Sequence, residues 1–195
     1  MLRKTVGSLM LLAGVYASAG ENYFQTAWDA KGLLALEGAF GQAKSKQVQD
    51  VPGGSYVLHS KTDTIGAGGL KLGGESEDYR LFLSGRFHAV PDYDSVTTLG
   101  LEMQYLMRAG ENFNVFLGIN AGSMWSQLTA GSTEYSTRST YAGGDAGVNI
   151  DITQNFGVEL GARLNKSLSN SDNPASIDYL AEAYMSLVLK FTGAY

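Results

Sequence analysis

Residues 180–195 read LAEAYMSLVLKFTGAY, and their alternation decides the fold. Ala181, Ala183, Met185, Leu187, Leu189, Phe191, Gly193 and Tyr195 share one parity. Glu182, Tyr184, Ser186, Val188, Lys190, Thr192 and Ala194 share the other. A period of two puts the first set on one face of a strand and most of the polar groups on the opposite face. So long and apolar an edge, left unpaired in water, would invite aggregation. Pairing with the first strand of the chain removes it, because the sheet then closes into a barrel.

The same period recurs through the preceding chain. Strands are expected at 32–42, 62–73, 79–89, 96–108, 113–127, 141–152 and 156–166, with 180–195 as the eighth. In the first, Leu34, Leu36, Gly38 and Phe40 oppose Leu33, Ala35, Glu37 and Ala39. In the fourth, Leu99, Leu101, Met103 and Tyr105 oppose Gly100, Glu102, Gln104 and Leu106. Glycines interrupt most strands, as a tightly coiled sheet would require. Polar loops are expected at 43–60, with loop at its centre and its tail open to strand, and at 128–140 and 167–178, with tight turns at 74–78, 110–112 and 153–155. Strands of about ten residues suit a tilted bilayer crossing. Long loops at one end and short turns at the other suit a transmembrane barrel. A soluble sandwich offers no reason for that rhythm, and its strands are usually shorter.

The front of the chain supports export. Arg3 and Lys4 precede the apolar run VGSLMLLAGVY at 6–16, and Ala17-Ser18-Ala19 offers a small-x-small cleavage site. Residues 1–19 are therefore expected to be a signal peptide and 20–195 the barrel domain. The run is too short to span a bilayer as a helix. With no cysteine, the chain has neither disulfides nor thiolate chemistry. A formal net charge of -5 gives no reason to expect a nucleic-acid partner.

Charge falls almost wholly on one parity: Glu37, Lys71, Arg80, Arg86, Glu102, Asp145, Asp151, Glu159, Arg163, Glu182 and Lys190. In a membrane the apolar parity must face lipid, which leaves these side chains to the lumen. Acids and bases nearly balance, so an interior network of ion pairs is expected, since an unpaired buried charge is costly.

With those features the chain resembles the small outer-membrane barrel proteins of Gram-negative bacteria, in particular the eight-stranded outer-membrane protein A-like transmembrane domain. The resemblance covers residues 31–195 and rests on pattern more than on a diagnostic motif. It implies an all-β, eight-stranded antiparallel up-and-down transmembrane β-barrel in the outer membrane. Leu187, Leu189, Phe191, Gly193 and Tyr195 look like the terminal signal read by the barrel-assembly machinery, although Gly193 matches poorly. The implied surroundings are outer-membrane lipid and lipopolysaccharide, and the implied state is a monomer.

Some barrels of this size modify lipids, so the histidines matter. The chain has two, His59 and His88, and neither has a serine two residues on, as lipid A deacylase barrels do. His88 with Asp92 or Asp94 and Ser95 imitates a palmitoyltransferase-like set only loosely; a lumen or rim role is the expectation. The glycines at 66–69 lack the lysine and helix of a phosphate loop. Glu75, Glu77 and Asp78 read as solvated turn acids. No catalytic, cofactor or metal residues are assigned. The expected function is a structural or surface-exposed barrel whose polar loops contact an extracellular ligand or host surface. The alternative is a narrow channel for small solutes or apolar compounds, and a lipid-modifying enzyme ranks last.

Overall fold

The computed structural model describes residues 31–51, 55–169 and 175–191. The proposed signal peptide, Gly193 and Tyr195 lie outside them. Eight strands follow in chain order: β1 (Lys31–Val51), β2 (Ser55–Glu75), β3 (Tyr79–Ala89), β4 (Ser95–Arg108), β5 (Phe113–Ala130), β6 (Thr133–Thr153), β7 (Phe156–Ser167) and β8 (Ile177–Phe191). Each pairs antiparallel with its neighbours in sequence, and β8 pairs with β1 to close the barrel. The closing register runs from Gly32↔Phe191 through Leu36↔Leu187 to Lys44↔Tyr179. A bulge then shifts Ser45 onto Ile177.

The faces are inverted relative to a soluble barrel. Leu36, Phe40, Leu70, Leu101, Ile119 and Met185 are exposed on the outside. Glu37, Lys71, Arg86, Glu102 and Glu159 are buried inside. Tyr79 and Tyr105 pack against each other at a tilt near the turn end of this belt, their ring centroids 5.1 Å apart, where an interfacial aromatic belongs.

Two expected loops are instead strand. β1 and β2 stay in register up to Val51↔Ser55, and β5 and β6 up to Ala130↔Thr133. Gly131, at φ 63°, turns the second hairpin. These segments are mostly polar and carry no apolar period, because a strand that runs beyond the bilayer need not present an apolar face to lipid, so hydropathy could not reveal them. At about 3.3 Å per residue, 21-residue strands far exceed the thickness of a bilayer core. β3 has 11 residues, so the β1–β2 and β5–β6 hairpins rise well beyond it. β8 also begins earlier than expected, at Ile177.

Inward glycines mark places where strands approach closely. A Cβ on Gly143 would collide with the Leu164 carbonyl oxygen and lie 2.5 Å from Asn165 Oδ1. A Cβ on the lipid-facing Gly38 would meet nothing within 4 Å. Gly143→Ala is therefore expected to cost about 1–3 kcal/mol through overpacking. Gly38→Ala should stay within about 0.5 kcal/mol of the parent. Urea unfolding in lipid vesicles checks the pair; equal costs would contradict the close-approach account.

Candidate functional site

The lumen is the site, and alternate residues of every strand fill it. Its hairpin end is plugged by an apolar cluster comprising Ala43, Ile65, Val90, Val96, Met124, Tyr141, Ile177 and Leu180. The segment leading into β8 folds across this plug. Ser126 Oγ donates to the Ala175 carbonyl at 2.5 Å, and the Lys46 amide donates to the Ser176 carbonyl at 3.0 Å. Tyr93, on the β3–β4 turn, donates its hydroxyl to the carbonyls of Lys46 and Ser176 at 3.3 and 3.2 Å.

Beneath the plug lies His88. Its Nδ1 is 2.9 Å from Glu182 Oε1 and its Nε2 is 3.0 Å from Thr98 Oγ1. The acids and the serine that loosely imitate a catalytic set with His88 are engaged elsewhere. Asp92 pairs with Lys61 at 3.0 Å, Asp94 accepts from Thr129 at 2.8 Å, and Ser95 donates to Gln127 at 2.9 Å. His88, Thr98 and Glu182 are themselves almost wholly buried, which leaves a substrate no approach to the hydroxyl.

Glu37 sits at the centre of the network. It accepts from Arg86 Nε at 2.6 Å and Arg163 Nη2 at 2.6 Å, and pairs with Lys71 Nζ at 2.9 Å. Arg86 also bonds Glu102 and receives help from Ser84, 2.9 Å away. Arg163 donates to Glu182 at 3.1 Å, joining this layer to His88. Lys71 continues downward to Glu159 at 2.9 Å, with the Tyr184 ring 4.6 Å below its ammonium. Towards the turns, Arg80 links Glu159 at 3.3 Å to Glu75 at 2.5 Å. Lys190 then bridges Glu75 and Asp151 at 3.0 and 2.9 Å.

Asp145 is an exception among the expected ion pairs. It accepts from Gln104 Nε2 at 3.0 Å and from the Tyr184 hydroxyl at 3.1 Å, both neutral donors. Glu75 departs in the other direction: read as a solvated turn acid, it is the last residue of β2 and joins two cations. Its parity with Lys71 and Gly73 was the available signal. His88 shares the parity of Arg80 and Arg86, and that signal was legible too. Leu187, Leu189 and Phe191 face outward at the end of β8, away from the lumen.

An apolar belt around a closed sheet, with charge sealed inside, defines a transmembrane β-barrel. In fold, the chain is similar to solved eight-stranded outer-membrane barrels such as Neisserial surface protein A. The crystal structure of Neisserial surface protein A is similar with a TM-score of 0.63 at 16% identity, covering 83% of this chain and 99% of that one. Outer membrane protein H of Pseudomonas aeruginosa gives 0.55 at 16% identity over 83% of this chain and 99% of that one. The N-terminal β-barrel domain of Pseudomonas aeruginosa OprF gives 0.53 at 14% identity over 82% and 99%. No protein-family model matches the chain, and no curated protein matches it.

Proposed function

We propose that this protein is a surface-display barrel of the outer membrane: a closed, rigid anchor that holds two long β-hairpins outside the cell. The observation that carries this reading is the filled lumen beneath projecting hairpins. Ions would have to separate Glu37 from three cations and then part the apolar plug. Separating buried, mutually satisfied charges is costly where water is scarce. The hairpins are polar at the residues nearest the tip of the second, with Thr133, Glu134, Ser136 and Arg138 exposed. Such a surface suits contact with an extracellular ligand or host surface. Leu187, Leu189 and Phe191, with Gly193 and Tyr195 beyond them, serve the assembly machinery in this reading, and the barrel acts as a monomer.

The test has two arms. Single-protein recordings in planar bilayers should show no steady ion conductance, and a stable conductance would transfer the reading to the narrow channel. Cells carrying the protein with residues 128–136 replaced by a two-residue turn should lose attachment that the parent confers, while the outer-membrane fraction still holds a barrel whose gel mobility shifts on boiling. Attachment unchanged by shortening both hairpins would sink the display role.

A further inference from the structure

Outside the lumen, the hairpin end of the barrel carries its cations unevenly. Lys166, Tyr179 and Lys44 form one lateral row across β7, β8 and β1, through the pairs Lys166↔Tyr179 and Lys44↔Tyr179. All three keep the parity of the lipid-facing residues just below them, Leu164 on β7 and Phe40 on β1, which are 54% and 70% exposed. The row therefore lies near the upper margin of the apolar belt, where headgroups meet the hydrocarbon, with Leu168, among the described residues, the one large exposed apolar residue above it on the β7 side. Among the described residues neither Lys44 nor Lys166 makes an ion pair. Arg138, on the neighbouring β6, lies four residues beyond Ala142, the partner of Lys166, and stacks 5.3 Å from the Trp125 ring.

Among the described residues, most acids of this end lie away from the row, and Asp178 is the one beside it. Asp63, Asp92 and Lys61 form their own cluster at β2 and the β3–β4 turn. Glu134 stands four residues nearer the hairpin tip than Arg138, and Asp178 occupies the bulge position before Tyr179. The β7–β8–β1 row itself has two cations on its outer face.

We propose that Lys44 and Lys166, on either side of Tyr179, hold the phosphate of a lipid headgroup in the leaflet at the hairpin end. Neighbouring strands are about 4.8 Å apart, so the two lysine Cα atoms are roughly 10 Å apart. Flexible four-carbon stems can lie along the apolar surface while both ammonium groups reach one headgroup between them. Tyr179 suits the interface, with its ring toward the acyl boundary and its hydroxyl toward the phosphate. The lipid chains would then run down over Leu164, Ala181, Ala183 and Phe40, a strip whose two alanines leave a shallow bed between larger neighbours. This inference rests on the outer-membrane reading, but a barrel that folds and ignores the lipid would overturn it alone.

The experiment titrates bis-phosphorylated lipid A into the folded protein in zwitterionic micelles, with dephosphorylated lipid A and inorganic phosphate as separate probes. The parent should bind the phosphorylated lipid at least about tenfold more tightly than the dephosphorylated one. Lys44→Gln/Lys166→Gln should abolish that preference, while keeping the heat-dependent gel shift of a folded barrel. Lys31→Gln/Arg108→Gln, which removes two cations at the opposite end, should leave it intact. An undiminished preference in the first double variant would overturn the proposal. So would equal loss in both double variants, which would reveal only a response to net charge. Inorganic phosphate competing as well as the lipid would also overturn it, by pointing to a free-anion site. If the first double variant fails to fold, the single variants Lys44→Gln and Lys166→Gln are titrated instead, and an undiminished preference in both again overturns the proposal.

Discussion

Glu37→Gln is expected to destabilise the barrel by about 3–5 kcal/mol, the cost of leaving buried charge without its partner. Glutamine keeps the shape of the side chain but removes its charge and turns one acceptor into a donor. Arg86, Arg163 and Lys71 all lie within 3 Å of the Glu37 carboxylate. After the change, Glu102, Glu159 and Glu182 must neutralise those three cations from positions already committed to other bonds. The remaining cations repel one another across a lumen that water enters poorly. Urea unfolding in lipid vesicles measures the loss, with Glu77→Gln as the comparison. Glu77 is exposed on a turn, 3.9 Å from Arg108, and an exposed pair of that kind contributes little. Equal stability of the two variants would show that the central network does not hold the barrel together.

Leu101→Arg tests the other face and is expected to cost about 2–4 kcal/mol, the penalty for a cation at the bilayer midplane. Leu101 lies halfway along β4, opposite Leu83 and Ala121, and 56% of it is exposed to the surroundings of the barrel. In water that exposure would make an arginine harmless. In a membrane it makes one expensive, so the substitution distinguishes the two media directly. Met107→Arg supplies the depth control: it shares the strand and face but sits near Arg108 and the Tyr79–Tyr105 pair, where the cost should fall to about 0–1 kcal/mol. Gln104→Arg, inside the lumen, is a less simple comparison than its parity suggests. Gln104 is fully buried against Asp145 and Glu159, and a longer side chain must displace them. Equal costs at Leu101 and Met107 would contradict a lipid-facing belt centred on mid-strand.

Strand number, order and facing were readable from period-two alternation, because the bilayer imposes an apolar face on every crossing segment. Leu101 and Glu102 could be assigned to opposite sides with no knowledge of their neighbours. The hairpin extensions at 43–51 and 128–140 could not be read, since a mostly polar strand beyond the bilayer carries no regular hydropathy contrast. The lumen residues were recognisable as a set, yet their partners were not. Glu37 and Arg163 are 126 residues apart and meet only because β8 closes the sheet between β7 and β1. A change in stagger would offer Glu37 different cations while leaving every parity unchanged.

By itself, then, the sequence determined an inside-out barrel with eight crossings and a charged interior. Alternation along each strand is a local property, and lipid on one side fixes its meaning. Tertiary structure decided what the interior does. It placed Asp145 among neutral donors, brought Glu75 into the network, and tied His88 to Glu182 and Thr98 rather than to the acids of its own turn. It also laid the segment before β8 across an apolar plug. These outcomes depend on the register and closure of strands far apart in the chain, and pairwise distance in three dimensions is a quantity that no run of residues contains.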